Sequence, residues 1–402
     1  MNLWHFPDTI KAHTCVRIAI EWQLCNVDRR KDSGEVTYKL DGKACSFRIE
    51  AKNSLLKVNM GTVKTENFPP DAVIELGWKT DKAVAFMLSE NSAGKYMVAK
   101  ANGANWMREN LRVIGNRTLD RICITGSHDA GMSKRTGGTM FTDDRNTLTQ
   151  TVSVGKQLEY GARYFDIRPV IAGGHYATGH YGRIPIDLVM MWLGANGQSL
   201  EDIVNEINAF TACHNELIII NLSHSLNTDH GYNPFNQQEW DKALEILKKL
   251  NFLFSTHGNL KKTILNEFIE KQSAVFIVLE DNATLKDIYY RKGFYYKSDF
   301  DVVNEYSDKN TVYEMANIQF ERMKQNRDKY FLLSWTLTQT AKQAIDSREE
   351  SIIDMANRAN DRLTHKLYPE ISSDNFPKIL YTDNITDSTS ASLATLINWK
   401  NL

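Results

Sequence analysis

The stretch Ile122-Cys123-Ile124-Thr125-Gly126-Ser127-His128-Asp129-Ala130-Gly131 joins a short apolar run to a polar end that contains glycines. Five more apolar runs follow it along the chain. They span residues 164–167, 217–222, 274–279, 331–337 and 379–381. Short apolar runs with polar boundaries are typical of buried strands.

Amphipathic segments lie between these runs. Ser199 and Asp202 form a capping pair at the start of one of them. Apolar residues recur at helical spacing in three segments: Ile203, Ile207 and Phe210; Trp240, Leu244 and Leu247; and Ile352, Met355, Ala356, Ala359 and Leu363. Strands and helices that alternate over about 280 residues predict a parallel α/β fold, and that length suits a (β/α)8 TIM barrel.

A barrel of this kind has eight strands, and only six are clearly marked. We therefore expect the other two at residues 175–180 and 298–303. A doubly wound open sheet is the alternative fold. No internal repeat or low-complexity segment interrupts the pattern.

The first hundred residues alternate with period two, which is typical of half-buried strands. Apolar residues alternate with polar ones over residues 16–24 and 36–40, and Asp41-Gly42 supplies a hairpin turn before the alternation resumes at Cys45. Further short strands are expected near residues 73–74, 83–88 and 96–98. The pattern predicts a small all-β sandwich over residues 1–105, followed by the barrel domain over residues 106–402. Trp4, Phe6 and Trp78 suggest lipid targeting by the sandwich, with core packing as the favoured alternative.

The composition argues against a nucleic-acid-binding protein and against a membrane-spanning one. The chain has 402 residues, a formal net charge of -1 and 24% charged residues, which is ordinary for a folded globular protein. The balance of charge argues against a nucleic-acid partner. No run of about 18 apolar residues predicts a transmembrane segment. The N-terminus lacks a signal-peptide pattern, so we expect a chain that is cytoplasmic or released.

The cysteines are widely spaced and odd in number, and no CxxC pair occurs. They are Cys15, Cys25, Cys45, Cys123 and Cys213. This pattern favours buried free thiols over a disulfide framework or a zinc site.

Polar side chains follow nearly every predicted strand. Because barrel active sites lie at the carboxyl ends of the strands, we expect these side chains to meet. They are His128, Asp129, Asp166, Arg168, His175, His180, Ser223, His224, Glu280, Asp281, Trp335, Thr336 and Asp383. Histidine exchanges protons near neutral pH, and arginine presents a fork of donors that fits phosphoryl oxygens. The pattern alone predicts an enzyme that uses acid/base or metal-assisted chemistry, and a phosphate ester would suit these groups.

Three motifs carry a resemblance to a known family. The segments Gly126-Ser127-His128-Asp129-Ala130-Gly131, Gly161-Ala162-Arg163-Tyr164-Phe165-Asp166-Ile167-Arg168-Pro169 and Thr178-Gly179-His180-Tyr181 resemble the X-domain of bacterial-type phosphatidylinositol-specific phospholipase C. The segments Glu216–His224 and Leu333–Gln339 also resemble strands of its homologues. The similarity covers about residues 112–395 and implies a distorted (β/α)8 barrel.

The resemblance implies roles for individual residues. His128 would be the general base, His180 the general acid, and Asp383 the carboxylate that orients the base. Asp166 and Arg168 would complete the catalytic set. Asp129, His224, Glu280 and Trp335 are expected to contact substrate. Because Arg168 supplies the charge that calcium supplies in eukaryotic relatives, no cofactor is expected, and a divalent cation is the alternative.

The resulting prediction is a metal-independent enzyme that cleaves a phospholipid headgroup to diacylglycerol and a cyclic inositol phosphate at a peripheral membrane surface. In bacterial enzymes an arginine at the end of the middle strand binds the inositol hydroxyls. The strand that ends at Glu280 lacks this arginine, so a substrate with a different headgroup is kept as an alternative. One alternative is a metal-dependent phosphodiesterase on the same barrel, of the glycerophosphodiesterase or sphingomyelinase D kind. Another is a catalytically inert lipid-binding protein.

Overall fold

The structure is a computed structural model of the whole chain. It describes residues 3–12, 14, 16, 18–21, 33–53, 55–77, 84, 86–91, 93–99, 102–186, 189–279, 283–346 and 348–400. Short apolar strands and amphipathic helices make up most of it, as the sequence pattern predicts.

The N-terminal part consists of antiparallel sheets. Its strands are β1 Leu3–Trp4, β2 Ile20–Glu21, β3 Ser33–Lys39, β4 Ser46–Lys52, β5 Leu55–Asn59, β6 Val73–Gly77, β7 Met87–Glu90 and β8 Tyr96–Ala99. Strands β3 to β6 form one four-stranded sheet in sequence order, and β1–β2 and β7–β8 form two separate pairs. Gly42 turns the β3–β4 hairpin at a φ of 71°, which glycine adopts without strain.

Alternate residues of these strands form the N-terminal core, which contains Tyr38, Phe47, Val58 and Ile74. Trp4 packs against Ala51 and Leu56, in agreement with the core-packing alternative. Phe6 also packs against the N-terminal core. Trp78 and, in the first predicted strand, residues 17 and 22–24 lie outside the described residues. The domain boundary at residue 105 stays a prediction.

The larger part of the chain contains two sheets. Its strands are β9 Ile124–Ser127, β10 Gly137–Gly138, β11 Tyr164–Ile167, β12 Pro169–Ala172, β13 His175–Ile186, β14 Val189–Ser199, β15 Leu217–Leu222, β16 Leu226–Asn227, β17 Ala274–Leu279, β18 Phe294–Tyr296, β19 Val303–Asn304, β20 Phe331–Trp335 and β21 Ile379–Thr382. Eight of them form a parallel sheet with the order β18-β17-β15-β11-β9-β21-β20-β19. This order is the sequence order wrapped around a circle, so the sheet is a distorted TIM barrel and not a doubly wound sheet. No pairing joins β18 to β19 in the described part of the chain.

Helices surround the barrel. They are α1 Trp106–Glu109, α2 Leu111–Ile114, α3 Asp144–Thr147, α4 Val154–Glu159, α5 Leu200–Thr211, α6 Gln237–Leu247, α7 Leu265–Ile269, α8 Val312–Gln325, α9 Ala341–Ile345, α10 Ile352–Leu367 and α11 Thr389–Lys400. Ser199 caps α5 by accepting the backbone N–H of Asp202, as its sequence predicts. Ile218 and Ile220 of β15 belong to the apolar core that contains the α5 and α6 residues Ile203 and Trp240.

Of the two weakly marked barrel strands, one prediction is wrong and the other overlaps the observed strand at one residue. Residues 175–180 belong to β13, which pairs antiparallel with β12 and β14 in a separate five-stranded sheet. The fifth barrel strand is β18, which the sequence analysis missed because it is only three residues long. The prediction at 298–303 meets the barrel only at Val303, since residues 297–299 form a short 3-10 helix.

The cysteines are free in the described part of the chain, but only one of them is buried there. Cys123 is buried, Cys45 is half-buried and Cys213 is exposed; Cys15 and Cys25 lie outside the described residues. None of the described helices combines the length and apolarity needed to cross a bilayer.

Candidate active site

The predicted acid/base residues meet at the carboxyl end of the barrel. His128 directly follows β9 and Asp383 directly follows β21, and these strands pair so that Ser127 lies opposite Thr382. Asp166 lies in β11, the other neighbour of β9. The strand register therefore brings the imidazole of His128 close to the carboxylates of Asp383 and Asp166, although these residues are far apart in sequence.

The glycines of the first motif allow close packing. A Cβ atom on Gly126 would lie 2.7 Å from the Ile379 side chain, and one on Gly131 would lie 2.2 Å from the Thr178 hydroxyl. Neither glycine has a positive φ angle, so both are needed for space and not for a turn. The close approach of Thr178 brings strand β13, and with it His180, next to the loop that carries Asp129.

His128 is held by a carboxylate on one side and faces a guanidinium on the other. Its Nδ1 lies 2.7 Å from Asp383 Oδ1, and its Nε2 lies 2.8 Å from Arg168 Nη2. Since a guanidinium only donates, Nε2 is the accepting nitrogen and Nδ1–H donates to Asp383. This tautomer, assigned from the hydrogen bonds, leaves Nε2 without a proton, so Nε2 can take one up when the Arg168 donor turns to another acceptor.

Asp383 is itself fixed in place. The carboxylate is buried, with 3% exposure. Asn360 of α10 donates from Nδ2 to the Asp383 carbonyl oxygen at 2.8 Å, and Gln150 donates to the His128 carbonyl oxygen at 3.0 Å. These bonds hold the backbone of both members of the pair.

His180 has its own carboxylate. Its Nδ1 lies 2.7 Å from Asp129 Oδ2. Asp129 is fully buried and has a φ of 41°, and its backbone N–H donates to Asp166 Oδ2 at 3.2 Å. The His180 side chain is 28% exposed, so this imidazole is the more accessible of the two.

Arg168 lies between the two imidazole–carboxylate pairs. Its Nε donates to Asp166 Oδ2 at 3.1 Å, and its Nη1 lies 3.5 Å from Asp129 Oδ2. Burial alone would lower the pKa of this guanidinium, but Asp166 and Asp129 raise the pKa well above its ordinary value. Arg168 is therefore a permanent cation in a mostly buried position.

Asp166 compensates this charge. Its carboxylate accepts hydrogen bonds from Ser223 Oγ at 2.6 Å and from Tyr381 Oη at 2.8 Å. Burial alone would raise the pKa of Asp166, but the charges of Arg168 and His128 and these two hydrogen bonds together lower it well below its ordinary value. Asp166 is thus held ionised.

The ion pair at Asp166 predicts a pH dependence of stability. Because the pKa of Asp166 is lowered in the folded state, its stabilisation is complete above the unfolded value of about 3.9 and is lost as the pH falls through the lower folded value. We expect the wild type to exceed Asp166→Asn by roughly 2–3 kcal/mol in the free energy of unfolding at pH 6, with the difference shrinking below about pH 4. Urea unfolding across this pH range measures it. The exposed Asp328→Asn variant is the control, and a difference that persists unchanged to the lowest pH would contradict the prediction.

Two tyrosines complete the cluster and were missed by the sequence analysis. Tyr306 Oη accepts a hydrogen bond from Arg168 Nη2 at 3.3 Å and lies 3.4 Å from Tyr381 Oη. Both rings contact the His128 imidazole, with centroid distances of 5.5 Å for Tyr306 and 5.3 Å for Tyr381. Tyr381 could have been found from its place two residues before Asp383, on the strand that Asp383 follows. Tyr306 follows a two-residue strand that carried no clear signal.

The remaining predicted residues have different positions. His224 is exposed after β15, with a φ of 54°, and its Nδ1 lies 2.9 Å from Ser223 Oγ, which connects it to Asp166. Trp335 does not reach this cluster: it is 1% exposed, and its indole donates to the Ala359 carbonyl oxygen of α10. The prediction that Trp335 contacts substrate does not fit this position, because the side chain packs between the barrel and α10. Glu280 and Asp281 lie outside the described residues.

Among the described residues, no three His, Cys, Asp or Glu side chains are grouped so that they could hold a metal ion. Asp166 and Asp129 instead face the Arg168 guanidinium. The cluster therefore combines two imidazoles, each with a carboxylate, and one shared cation. It can accept a proton at one end, donate a proton at the other, and hold an anionic group between them.

Comparison with known proteins identifies similar structures but no sequence family. No family model matches the chain, and no curated protein matches its sequence. The phosphatidylinositol-specific phospholipase C of Listeria monocytogenes has a TM-score of 0.51 at 17% identity, over 75% of this chain and 100% of that chain. A mutant of the Staphylococcus aureus enzyme has a TM-score of 0.51 at 15% identity, over 73% of this chain and 98% of that chain. At these identities the similarity confirms the fold that the sequence resemblance implied.

Proposed function

We propose that the protein is a phosphodiesterase of the phosphatidylinositol-specific phospholipase C type. It cleaves the headgroup phosphodiester of a phospholipid by intramolecular attack and releases diacylglycerol and a cyclic inositol phosphate. One observation carries the proposal: Asp383, His128, Arg168, Asp129 and His180 form one continuous chain of polar contacts. The barrel shared with bacterial enzymes of this name supports the same conclusion.

The first step uses His128 as the general base. The 2-hydroxyl of the inositol loses its proton to Nε2, and its oxygen forms a bond to phosphorus. Asp383 stabilises the imidazolium that results, because it already accepts from Nδ1 at 2.7 Å. The diacylglycerol oxygen leaves as the phosphorus–oxygen bond breaks, and it takes a proton from His180 Nε2.

Arg168 stabilises the developing negative charge. A phosphodiester bound between the imidazoles would take over the Nη2 donor that now faces His128. The guanidinium is fixed by Asp166 and Asp129, so it needs little reorganisation as charge builds up on the non-bridging oxygens. We infer that this fixed cation does the work of a metal ion. Water can then open the cyclic product, with the two imidazoles in exchanged roles.

The test is phosphorus NMR on phosphatidylinositol vesicles incubated with the protein, with and without EDTA. We expect a cyclic phosphate signal at the same rate in both samples, since Arg168 supplies the charge. A signal abolished by EDTA would overturn metal independence and favour a metal-dependent phosphodiesterase. If phosphatidylinositol is not cleaved, the inositol assignment is wrong, and screening of other phospholipid headgroups decides between a different phosphodiesterase and an inert lipid-binding protein.

A further inference from the structure

Two tyrosine hydroxyls connect the Arg168 guanidinium back to its own counter-ion. Arg168 donates from Nε to Asp166 Oδ2 at 3.1 Å and from Nη2 to Tyr306 Oη at 3.3 Å. Tyr381 Oη donates to the same Asp166 oxygen at 2.8 Å and lies 3.4 Å from Tyr306 Oη. Since the Tyr381 proton is used on Asp166, Tyr306 is the donor between the two hydroxyls. The four side chains form a closed ring, which we call the hydrogen-bond cycle.

The hydrogen-bond cycle holds one edge of the guanidinium, the edge formed by Nε and Nη2. Nη2 carries a second N–H, and this one faces His128 Nε2 at 2.8 Å. When a phosphodiester takes over the second N–H, the cycle still holds Nε and the other N–H of Nη2. Arg168 can therefore exchange the imidazole for the substrate while the guanidinium stays in place.

Tyr381 is the tyrosine of the cycle that the fold fixes most firmly. Its side chain is 0% exposed, its ring meets the Tyr164 ring edge-on at a centroid distance of 6.3 Å, and a Cβ atom on Gly126 would lie 3.2 Å from it. Burial and the charge of Asp166 raise the pKa of this hydroxyl well above its ordinary value, so it stays a donor at neutral pH. Strand β21 thus carries the donor to Asp166 and leads directly into Asp383.

Packing alone does not account for the Tyr381 hydroxyl, because a phenylalanine ring would fill the same space. Asp166 accepts from Ser223 on Oδ1, and from the Asp129 backbone N–H and Tyr381 on Oδ2. Oδ2 is also the oxygen that accepts from Arg168 Nε. The hydroxyl therefore fixes the carboxylate at the atom to which the guanidinium is attached.

We propose that Tyr381 is a positioning residue: acting through Asp166, its hydroxyl holds the Arg168 guanidinium where the phosphodiester binds. A cation that is already in place stabilises developing charge without having to reorganise. The use of this position in turnover rests on the proposed function, whereas the positioning itself does not require turnover.

The first test measures how firmly the guanidinium is held, without turnover. In full-length protein with ¹⁵N-labelled arginine, Arg168 Nε–H gives an NMR signal that Arg168→Lys identifies by removing it, and its exchange with water reports opening of the hydrogen bond. We expect exchange to be at least roughly tenfold faster in Tyr381→Phe, which removes only the hydroxyl. Tyr306→Phe opens the same cycle at a half-buried position and should have the same effect, which provides a second test if Tyr381→Phe does not fold.

Tyr330→Phe is the matched control. Tyr330 is buried in the same barrel, and its hydroxyl has no hydrogen-bond partner in the described part of the chain. Exchange of Arg168 Nε–H should be the same in this variant and in the wild type. Exchange that Tyr381→Phe and Tyr306→Phe also leave unchanged would overturn the proposal.

The second test uses steady-state kinetics on a water-soluble inositol phosphodiester with an aryl leaving group. We expect Tyr381→Phe to lower kcat by roughly 10–100-fold with KM changed less than about threefold, the pattern of a slightly misplaced catalytic group. Combined with Arg168→Lys, Tyr381→Phe should cost no further activity, since the hydroxyl acts only through the guanidinium. Losses that multiply in the double variant would show a separate structural role and overturn the proposal. Tyr330→Phe should keep wild-type kinetics.

The two tests separate this proposal from the proposed function. If the wild type cleaves no phosphodiester but Tyr381→Phe releases Arg168 Nε–H to exchange, the positioning stands and the proposed function fails. If the wild type is active and Tyr381→Phe changes neither exchange nor kcat, the proposed function stands and the positioning fails. Faster exchange with unchanged kcat in an active enzyme would also overturn the proposal, because the hydroxyl would then hold Arg168 without serving the reaction.

Discussion

Replacing His128 with alanine is expected to lower turnover of the phosphodiester by at least about 10²–10⁴-fold, the usual range for loss of a general acid/base group. The imidazole is 9% exposed, and its Nδ1–H is held by Asp383, so no other described base can take its place without rearrangement. KM should change little, because the lost interaction forms mainly in the transition state. Steady-state kinetics on the substrate identified by phosphorus NMR measures both constants.

His180 provides a control that distinguishes base from acid. His180→Ala should lose a similar factor with diacylglycerol as leaving group, but much less with an aryl leaving group, which needs no protonation. His128→Ala should lose activity equally with both. If the two variants respond alike to the leaving group, the assignment of base and acid is wrong. His257→Ala, whose imidazole lies in a loop away from this cluster, should keep wild-type kinetics.

Glu216→Gln is expected to destabilise the protein by about 3–5 kcal/mol, the cost of leaving a buried charge without its partner. Arg163 and Glu216 are both 0% exposed and lie 2.8 Å apart. Arg163 also donates to the carbonyl oxygens of Leu158, Ala162, Gly103 and Ala104. Glu216 in turn accepts the backbone N–H groups of Met107 and Arg108. The pair therefore connects the segment that enters the barrel to the residues that immediately precede β11 and β15.

The double variant Arg163→Met/Glu216→Gln tests the cause. Because it removes both charges, it should be destabilised by less than the sum of the two single variants. Urea unfolding of the four proteins at pH 7 gives this coupling energy. The exposed pair Lys134 and Asp202 is the control, since exposed ion pairs contribute about 0–1 kcal/mol. Additive effects of Arg163→Met and Glu216→Gln would contradict a specific buried pair.

The sequence analysis found the residues of the site more readily than the elements that carry them. His128, Asp166, Arg168 and Asp383 follow or end strands that are strongly apolar, so their common location could be predicted from the barrel alone. His180 is close to them for another reason: β13 belongs to a separate antiparallel sheet that packs on the loop after β9. The motif included His180, but the barrel rule assigned it to the wrong sheet.

Arg163 and Glu216 are residues whose role could not be predicted from the motifs that contain them. Both were visible within motifs that resembled a known family, next to residues with proposed catalytic roles. Their positions before β11 and β15 put them at the amino ends of the strands, where side chains contribute to stability. A motif shows only which residues are neighbours in sequence. The direction of the strand decides whether a residue lies at the carboxyl end, where the site is, or at the amino end, where side chains stabilise the barrel.

The sequence by itself determined what depends on near neighbours along the chain. Strand and helix periodicity, the capping of α5 by Ser199, the Asp41-Gly42 hairpin and the types of reactive side chain are all of this kind. Tertiary structure decided what depends on partners far away. It paired Asp129 with His180, it added Tyr306 and Tyr381 around Arg168, and it buried Trp335. The pairing of Asp383 with His128 was already implied by the resemblance, and the structure places the two side chains 2.7 Å apart. The reason is physical: periodicity reports which face of an element is apolar, whereas hydrogen-bond partners and burial arise only when strands 40 to 250 residues apart are brought into register.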